Sequence, residues 1–205
     1  PVIVGLVAAG TPALLSADTR HGAVARQALA AGAHIVNDVA GGADPALLEA
    51  VAATGAGLVL MHMQGEPATM QASPRYADVV DEVAAFLEAR CAAARRAGVR
   101  ETALVCDPGI GFGKRPEHNL ALLRALPRLG RRLGRPLLVG VSRKSLIPAL
   151  LGREVPPAGR DPASHVLHAL LADRCAILRV HDVAGAADAV RLARAVADGP
   201  REGPG

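Results

Sequence analysis

Six short apolar runs along the chain each break off into a polar or charged residue. They are ALLSAD ending at Asp18, HIVND at Asn37 and Asp38, GLVLMH at His62, TALVCD at Asp107, PLLVGVSRK at Arg143 and Lys144, and AILRVH at Arg179 and His181. Runs of about five apolar residues without polar alternation read as strands covered on both faces, the habit of parallel sheets. Between them the period lengthens to that of a helix. HGAVARQALAAG stops at Gly32, DPALLEAVAATG opens with Asp44 as N-cap and Pro45 at the first helical position, and VVDEVAAFLEARCAAARRAG ends at Gly98. EHNLALLRALPRLG, a short LIPALLG, DPASHVLHALLAD opening on Asp161-Pro162, and DVAGAADAVRLARAVAD complete the series, and the initial PVIVGLVAAG reads as the end of a helix.

Strand then helix, six times over, predicts an α/β fold with a parallel sheet. A doubly wound sheet would collect its ligand groups on two or three strands at one switch point. Here every strand ends in polar residues, which favours a (β/α)8 TIM barrel with about six of its eight strand–helix units in this chain. Residues 1–197 read as one barrel domain, incomplete at its N-terminal side, and residues 198–205 as a disordered tail.

Composition narrows the class. The 205 residues are 51% hydrophobic but only 1% aromatic, so the core is built from Ala, Val and Leu. No apolar stretch reaches the roughly 20 residues of a membrane span, and no signal peptide is visible. Cys91, Cys106 and Cys175 are odd in number and widely spaced, and read as buried thiols of a cytoplasmic protein. The net charge of +4 is spread over helix faces with no aromatic interleaving, which argues against nucleic acid and for a small anionic ligand. All but two of the 23 basic residues are Arg. The two lysines, Lys114 and Lys144, both fall in strand-end loops, where a compact ammonium suits a site that a planar guanidinium does not.

The most specific segment is Asp107-Pro-Gly-Ile-Gly-Phe-Gly-Lys114. Its alternate glycines let backbone approach a ligand closely, yet their spacing matches neither a Walker loop nor a dinucleotide fingerprint. An acid at a strand end can accept two parallel N–H bonds from the edge of an amino-pyrimidinone ring. Ser142-Arg143-Lys144-Ser145 leads from a strand into a short helix, the makings of an anion site. Alternation along the last strand puts Arg179 and His181 on one face, a fork for phosphate or carboxylate beside a proton donor. Asp18 alone carries a weak signal, since a lone strand-end Asp is often a cap, and Asn37 reads as a group able both to donate and to accept. Asp38 reads as a structural acid. Met61-His62-Met63 lacks the further ligands a metal would need, and His165 and His168, three apart, read as helix surface or interface.

SADT (16–19), HIVNDV (34–39), LMHMQGEPATMQ (60–71), DPGIGFGK with the following HNL (107–120), VGVSRKS (139–145) and RVHDV (179–183) together resemble the dihydropteroate synthases of the pterin-binding barrel family, over nearly the whole chain. The resemblance implies condensation of 6-hydroxymethyl-7,8-dihydropterin diphosphate with 4-aminobenzoate, giving 7,8-dihydropteroate and pyrophosphate in folate biosynthesis. It implies that Asp18, Asn37, Asp107 and Lys144 hold the pterin, with Met61, Phe112 and Gly140 lining its slot. Arg179 and His181, with Asn37, would face the diphosphate, and Ser145 with Lys144 would receive the 4-aminobenzoate carboxylate. Lys144, Arg179 and His181 would be the catalytic residues. The family further implies Mg2+, with its usual protein ligand in an N-terminal part that has no counterpart here, and a homodimer. Lacking the loops of two strand ends, the 205 residues alone are expected to turn over slowly or not at all. A non-catalytic pterin binder and a pterin-dependent methyltransferase of the same superfamily are the competing readings.

Overall fold

In the computed structural model, residues 1–66 and 69–198 are described. The expected disordered tail therefore lies, but for Asp198, outside the described residues. Six strands alternate with helices: β1 (Ser16–Asp18), β2 (Ile35–Asp38), β3 (Gly57–Met61), β4 (Leu104–Asp107), β5 (Leu138–Val139) and β6 (Ile177–Leu178). The principal helices are α1 (Val2–Ala8), α2 (Gly22–Ala30), α3 (Pro45–Thr54), α4 (Val79–Arg96), α5 (Pro116–Leu133), α6 (Leu146–Leu151), α7 (Asp161–Leu171) and α8 (Val183–Asp198).

Every strand pair is parallel, and the strands follow one another in chain order, β1-β2-β3-β4 and then β5-β6. A parallel bridge between Cys106 and Leu137 joins the two groups. Sequential order without a reversal is barrel order, and it decides between the two parallel architectures in favour of the incomplete (β/α)8 barrel. Successive residues of β3, Leu58, Val59, Leu60 and Met61, are all buried, as a strand packed on both faces requires.

The local signals act as their chemistry dictates. The Asp44 side chain accepts from Ala46 N–H at 3.0 Å and caps α3 behind Pro45. Asp38 is structural: fully buried, it accepts from Ala40 N–H and Gly42 N–H at 2.8 and 2.5 Å and holds the turn after β2.

Two expectations need correction. The strands are shorter than the apolar runs, and β6 stops at Leu178, so Arg179 and His181 stand in the loop beyond it. Asp161 is the first residue of α7, and its carboxylate is turned to Arg143. His168 is not a surface residue but 1% exposed, because the face of α7 that carries it packs inward along with Ser164 and Leu171. Burial holds its imidazole below the usual range, and neither ring nitrogen has a partner among the described residues.

Candidate active site

Parallel register carries the chemistry to one rim. Asp18 at the end of β1 lies opposite Asn37 in β2, and Met61 at the end of β3 lies opposite Asp107 at the end of β4. Neighbouring strands stand about 4.8 Å apart, so these four positions become one wall. A cavity of ≈ 150 Å³ opens there, lined by Asn37, Val39, Met61, Asp107, Phe112, Gly140, Ser142, Lys144, Arg179, Val180 and His181. A larger concavity, ≈ 610 Å³, lies between β6 and α8, but its polar lining is Arg191 and Arg194 alone, with no acid or amide to read a ring.

One wall is acidic and amide. Asp107 is buried and accepts from Gly109 N–H at 2.7 Å. Burial pushes its carboxyl above the usual range, against the pull of that hydrogen bond and of Lys144, Lys114 and Arg179. Asn37 is buried too, and its Oδ1 has no partner among the described residues. An orphaned buried carbonyl oxygen is unfavourable unless a ligand completes it.

The opposite wall is basic. The Lys144 Nζ sits 4.7 Å from the centre of the Phe112 ring and donates to Ile110 O. Burial brings its ammonium down to about 8, with Asp107 opposing and Arg179 adding to the fall. His181 meets Ser142 twice, through Nδ1 to Oγ at 2.9 Å and through its N–H to Oγ at 3.3 Å. Arg179 pairs with Asp18.

The glycine-rich loop is threaded against the segment that follows β3, with no room for side chains at Gly109 and Gly113. Gly109 and Gly113 hold φ of 68° and 61°, and a Cβ on either would overlap the carbonyl oxygen of His62 or Gln64. Lys114 anchors the loop from beneath: its Nζ donates to Gly109 O at 2.9 Å, to Phe112 O at 3.0 Å, and to His62 Nδ1 at 2.9 Å. With the Lys114 ammonium as donor, His62 accepts at Nδ1 and keeps its ring proton on Nε2. Its edge meets Phe86 at 4.9 Å between centroids.

Of the expected site residues, only Asp18 and Ser145 lie outside the cavity lining. Asp18 reaches it through Arg179. Ser145 precedes α6 and lines a neighbouring ≈ 310 Å³ recess with Gln71, Pro74, Arg115 and Asn119. Ser142 was not among the expected site residues, although it sits inside the quoted SRKS motif; nothing in a lone Ser signals that it will hold a histidine 39 positions later. Among the described residues, no group of three or more His, Cys, Asp or Glu is placed to hold a metal.

A parallel barrel whose strand ends gather a buried acid and amide on one wall of a cavity, with Lys144, Arg179 and His181 on the other, is the arrangement of a barrel enzyme with its chemistry at the C-terminal rim. The chain belongs to the pterin binding enzyme family, whose profile matches residues 1–181. It is 46% identical over 198 residues to a dihydropteroate synthase of Neisseria meningitidis serogroup B, covering 94% of this chain and 68% of that protein. The dihydropteroate synthase structure from Stenotrophomonas maltophilia superposes with a TM-score of 0.91 at 46% identity, over 98% of this chain and 75% of that one. The Xanthomonas albilineans enzyme in complex with 7,8-dihydropteroate gives a TM-score of 0.88 at 46% identity, over 98% of this chain and 72% of that one. The chain thus spans about two thirds of the length of the curated relatives it matches.

Proposed function

We propose that residues 1–197 form a pterin-binding barrel domain with dihydropteroate synthase chemistry, joining 6-hydroxymethyl-7,8-dihydropterin diphosphate to 4-aminobenzoate. One observation carries the reading: the unpartnered Asn37 Oδ1 and the buried Asp107 carboxylate share a small cavity with Lys144, Arg179 and His181. Ring donors on one side and a leaving anion on the other would satisfy both walls at once.

In this reading Asp107 and Asn37 hold the edge of the pterin, with Asp18 joining them once Arg179 turns to the diphosphate. Met61 and Phe112 bound the ring slot, and Gly140 leaves its floor bare. The amine nitrogen of 4-aminobenzoate forms a bond to the pterin methylene while the methylene–oxygen bond breaks. Its electron pair leaves with the pyrophosphate, and the amine proton passes to solvent. Arg179, His181 and Lys144 stabilise the negative charge that gathers on the leaving group, and holding the two reactants in line supplies much of the rate. Ser145 and Lys144, beside the Gln71–Asn119 recess, receive the carboxylate of 4-aminobenzoate.

The family resemblance implies magnesium, but the described residues offer no set of carboxylates fit to hold it, and Asp18 is engaged by Arg179. A cytoplasmic location fits Cys91 and Cys106, which lie 3.5 Å apart as free thiols; among the described residues no helix is long and apolar enough to cross a membrane. A homodimer is favoured by the exposed Leu150, Leu151, Val166 and Leu170 of α6 and α7, and light scattering tests it.

Titration of the chain with the pterin diphosphate, followed by addition of 4-aminobenzoate and assay for pyrophosphate, tests the chemistry. Pyrophosphate release that depends on both substrates, at the slow rate expected of a chain without the loops of two strand ends, would support the catalytic reading. Binding of the pterin without any release would favour the non-catalytic reading, and no binding would overturn both.

A further inference from the structure

Arg143 is the one residue besides glycine that the described backbone holds at clearly positive φ, 58°. A residue with a Cβ is disfavoured in that left-handed region and persists there only when its surroundings over-determine it. Four hydrogen bonds from α7 and the turn before it do so. The Arg143 N–H donates to Ser164 Oγ at 3.1 Å, and its C=O accepts from the Arg160 guanidinium at 2.8 Å. Its own guanidinium grips both oxygens of Asp161 at 2.7 Å each. Ser164, fully buried, donates its hydroxyl to Arg160 O at 2.8 Å and so locks the second layer of the arrangement. The Arg143 fork also draws the Asp161 carboxyl below its usual range.

Arg143 does not line the cavity, whereas the residues on either side of it do. Ser142 carries His181, and Lys144 closes over Phe112. A left-handed residue between them reverses the chain direction locally, which lets both neighbours face the same space while the residue itself faces out.

We propose that the Arg143–Asp161–Ser164 clamp positions the basic wall: by holding Arg143 left-handed, α7 turns Ser142 and Lys144 into the cavity although α7 lends the cavity no side chain of its own. Arg143 is thus a positioning residue, and the inference rests on the proposed function for the identity of the ligand. If the clamp loosens, only the fraction of molecules with the turn in place binds tightly, and apparent affinity falls by that fraction.

Two readouts test it in the 205-residue chain. The first is the dissociation constant for 6-hydroxymethyl-7,8-dihydropterin diphosphate in Asp161→Asn, Arg143→Ala and Arg143→Gly. Asp161→Asn and Arg143→Ala are expected to weaken binding about tenfold, and Arg143→Gly to bind at least about threefold more tightly than Arg143→Ala, because glycine accepts the turn unaided. Glycine performing no better than alanine would mean that the side chain acts on the ligand directly, and would overturn the proposal. The second readout needs no ligand: trypsin cleavage at the Lys144–Ser145 bond, expected to be about tenfold faster in Asp161→Asn and Ser164→Ala than in the wild type. Unchanged cleavage in folded variants overturns the clamp whatever the ligand. Faster cleavage with a wild-type chain that binds no pterin diphosphate sustains the clamp and sinks the functional reading instead.

Discussion

The guanidinium of Arg179, just past β6, pairs with the carboxylate of Asp18 at the end of β1, 161 positions earlier in the chain. The contact joins the first strand end of the sheet to the last across the mouth of the cavity. Both side chains are 54% exposed, so the pair is worth at most about 1 kcal/mol to the fold. In the proposed function a group arriving in the cavity takes Arg179 for its anion and leaves Asp18 free for its ring.

Asp18→Asn should therefore barely move the melting temperature. Losing one charge-assisted acceptor weakens pterin diphosphate binding by roughly tenfold to a hundredfold. Paired melting curves and calorimetric titrations check both halves. A large fall in melting temperature would show that the pair is structural.

Asp107→Asn should cost more in binding, about a hundredfold or beyond, because the carboxylate is buried and an amide cannot accept two parallel N–H bonds. The fold should hold. Burial already disfavours the charged form, and an amide oxygen can still accept from Gly109 N–H. Binding measured beside chemical denaturation separates the two effects.

Acid should destabilise the chain through His62. Burial first, and the neighbouring Lys114 second, bring its imidazole down to about 3 from 6.5. At pH 7 both the folded and the unfolded imidazole are neutral, so no penalty arises. As pH falls below 6.5, the unfolded chain takes up a proton that the folded chain refuses, and stability drops until the folded value is reached. At pH 5 the loss is about 2 kcal/mol. Denaturation at pH 7 and pH 5 should show it, and His62→Gln should flatten the difference. An equal slope in the variant would assign the acid loss to other groups.

Two glycines should part stability from function. Gly109→Ala puts a Cβ onto His62 O at a positive φ and should leave little folded protein. Gly140→Ala meets only ordinary contacts, 3.6 Å to Arg179 Cβ and 3.8 Å to Lys144 Nζ, so the chain should fold normally. Its new methyl group would stand in the cavity and weaken pterin binding several-fold. Solubility and melting curves for both, and titration of the second, decide the matter.

The linear pattern of residues determined the class of fold. Apolar runs with no alternation can only be buried on both faces, and their terminal polar residues mark one rim because parallel strands all finish on the same side. DPGIGFGK and RVHD were readable for a like reason: a chain confined to glycine, or to charges at a strand end, has few structural excuses. What the chain alone left undecided was every matter of pairing between distant segments. Barrel order came only from the register of β1 to β4 and of β5 with β6. The two lysines looked alike in sequence, yet Lys114 is a structural anchor under the loop and Lys144 a wall of the cavity. His168 reads from the sequence as helix surface or interface, because helical spacing tells which residues share a face but not what that face packs on. The link of Ser142 to His181, the pairing of Arg179 with Asp18, and the grip of α7 on Arg143 each span many positions. Such contacts depend on where separate elements come to rest in space, and no local propensity encodes that.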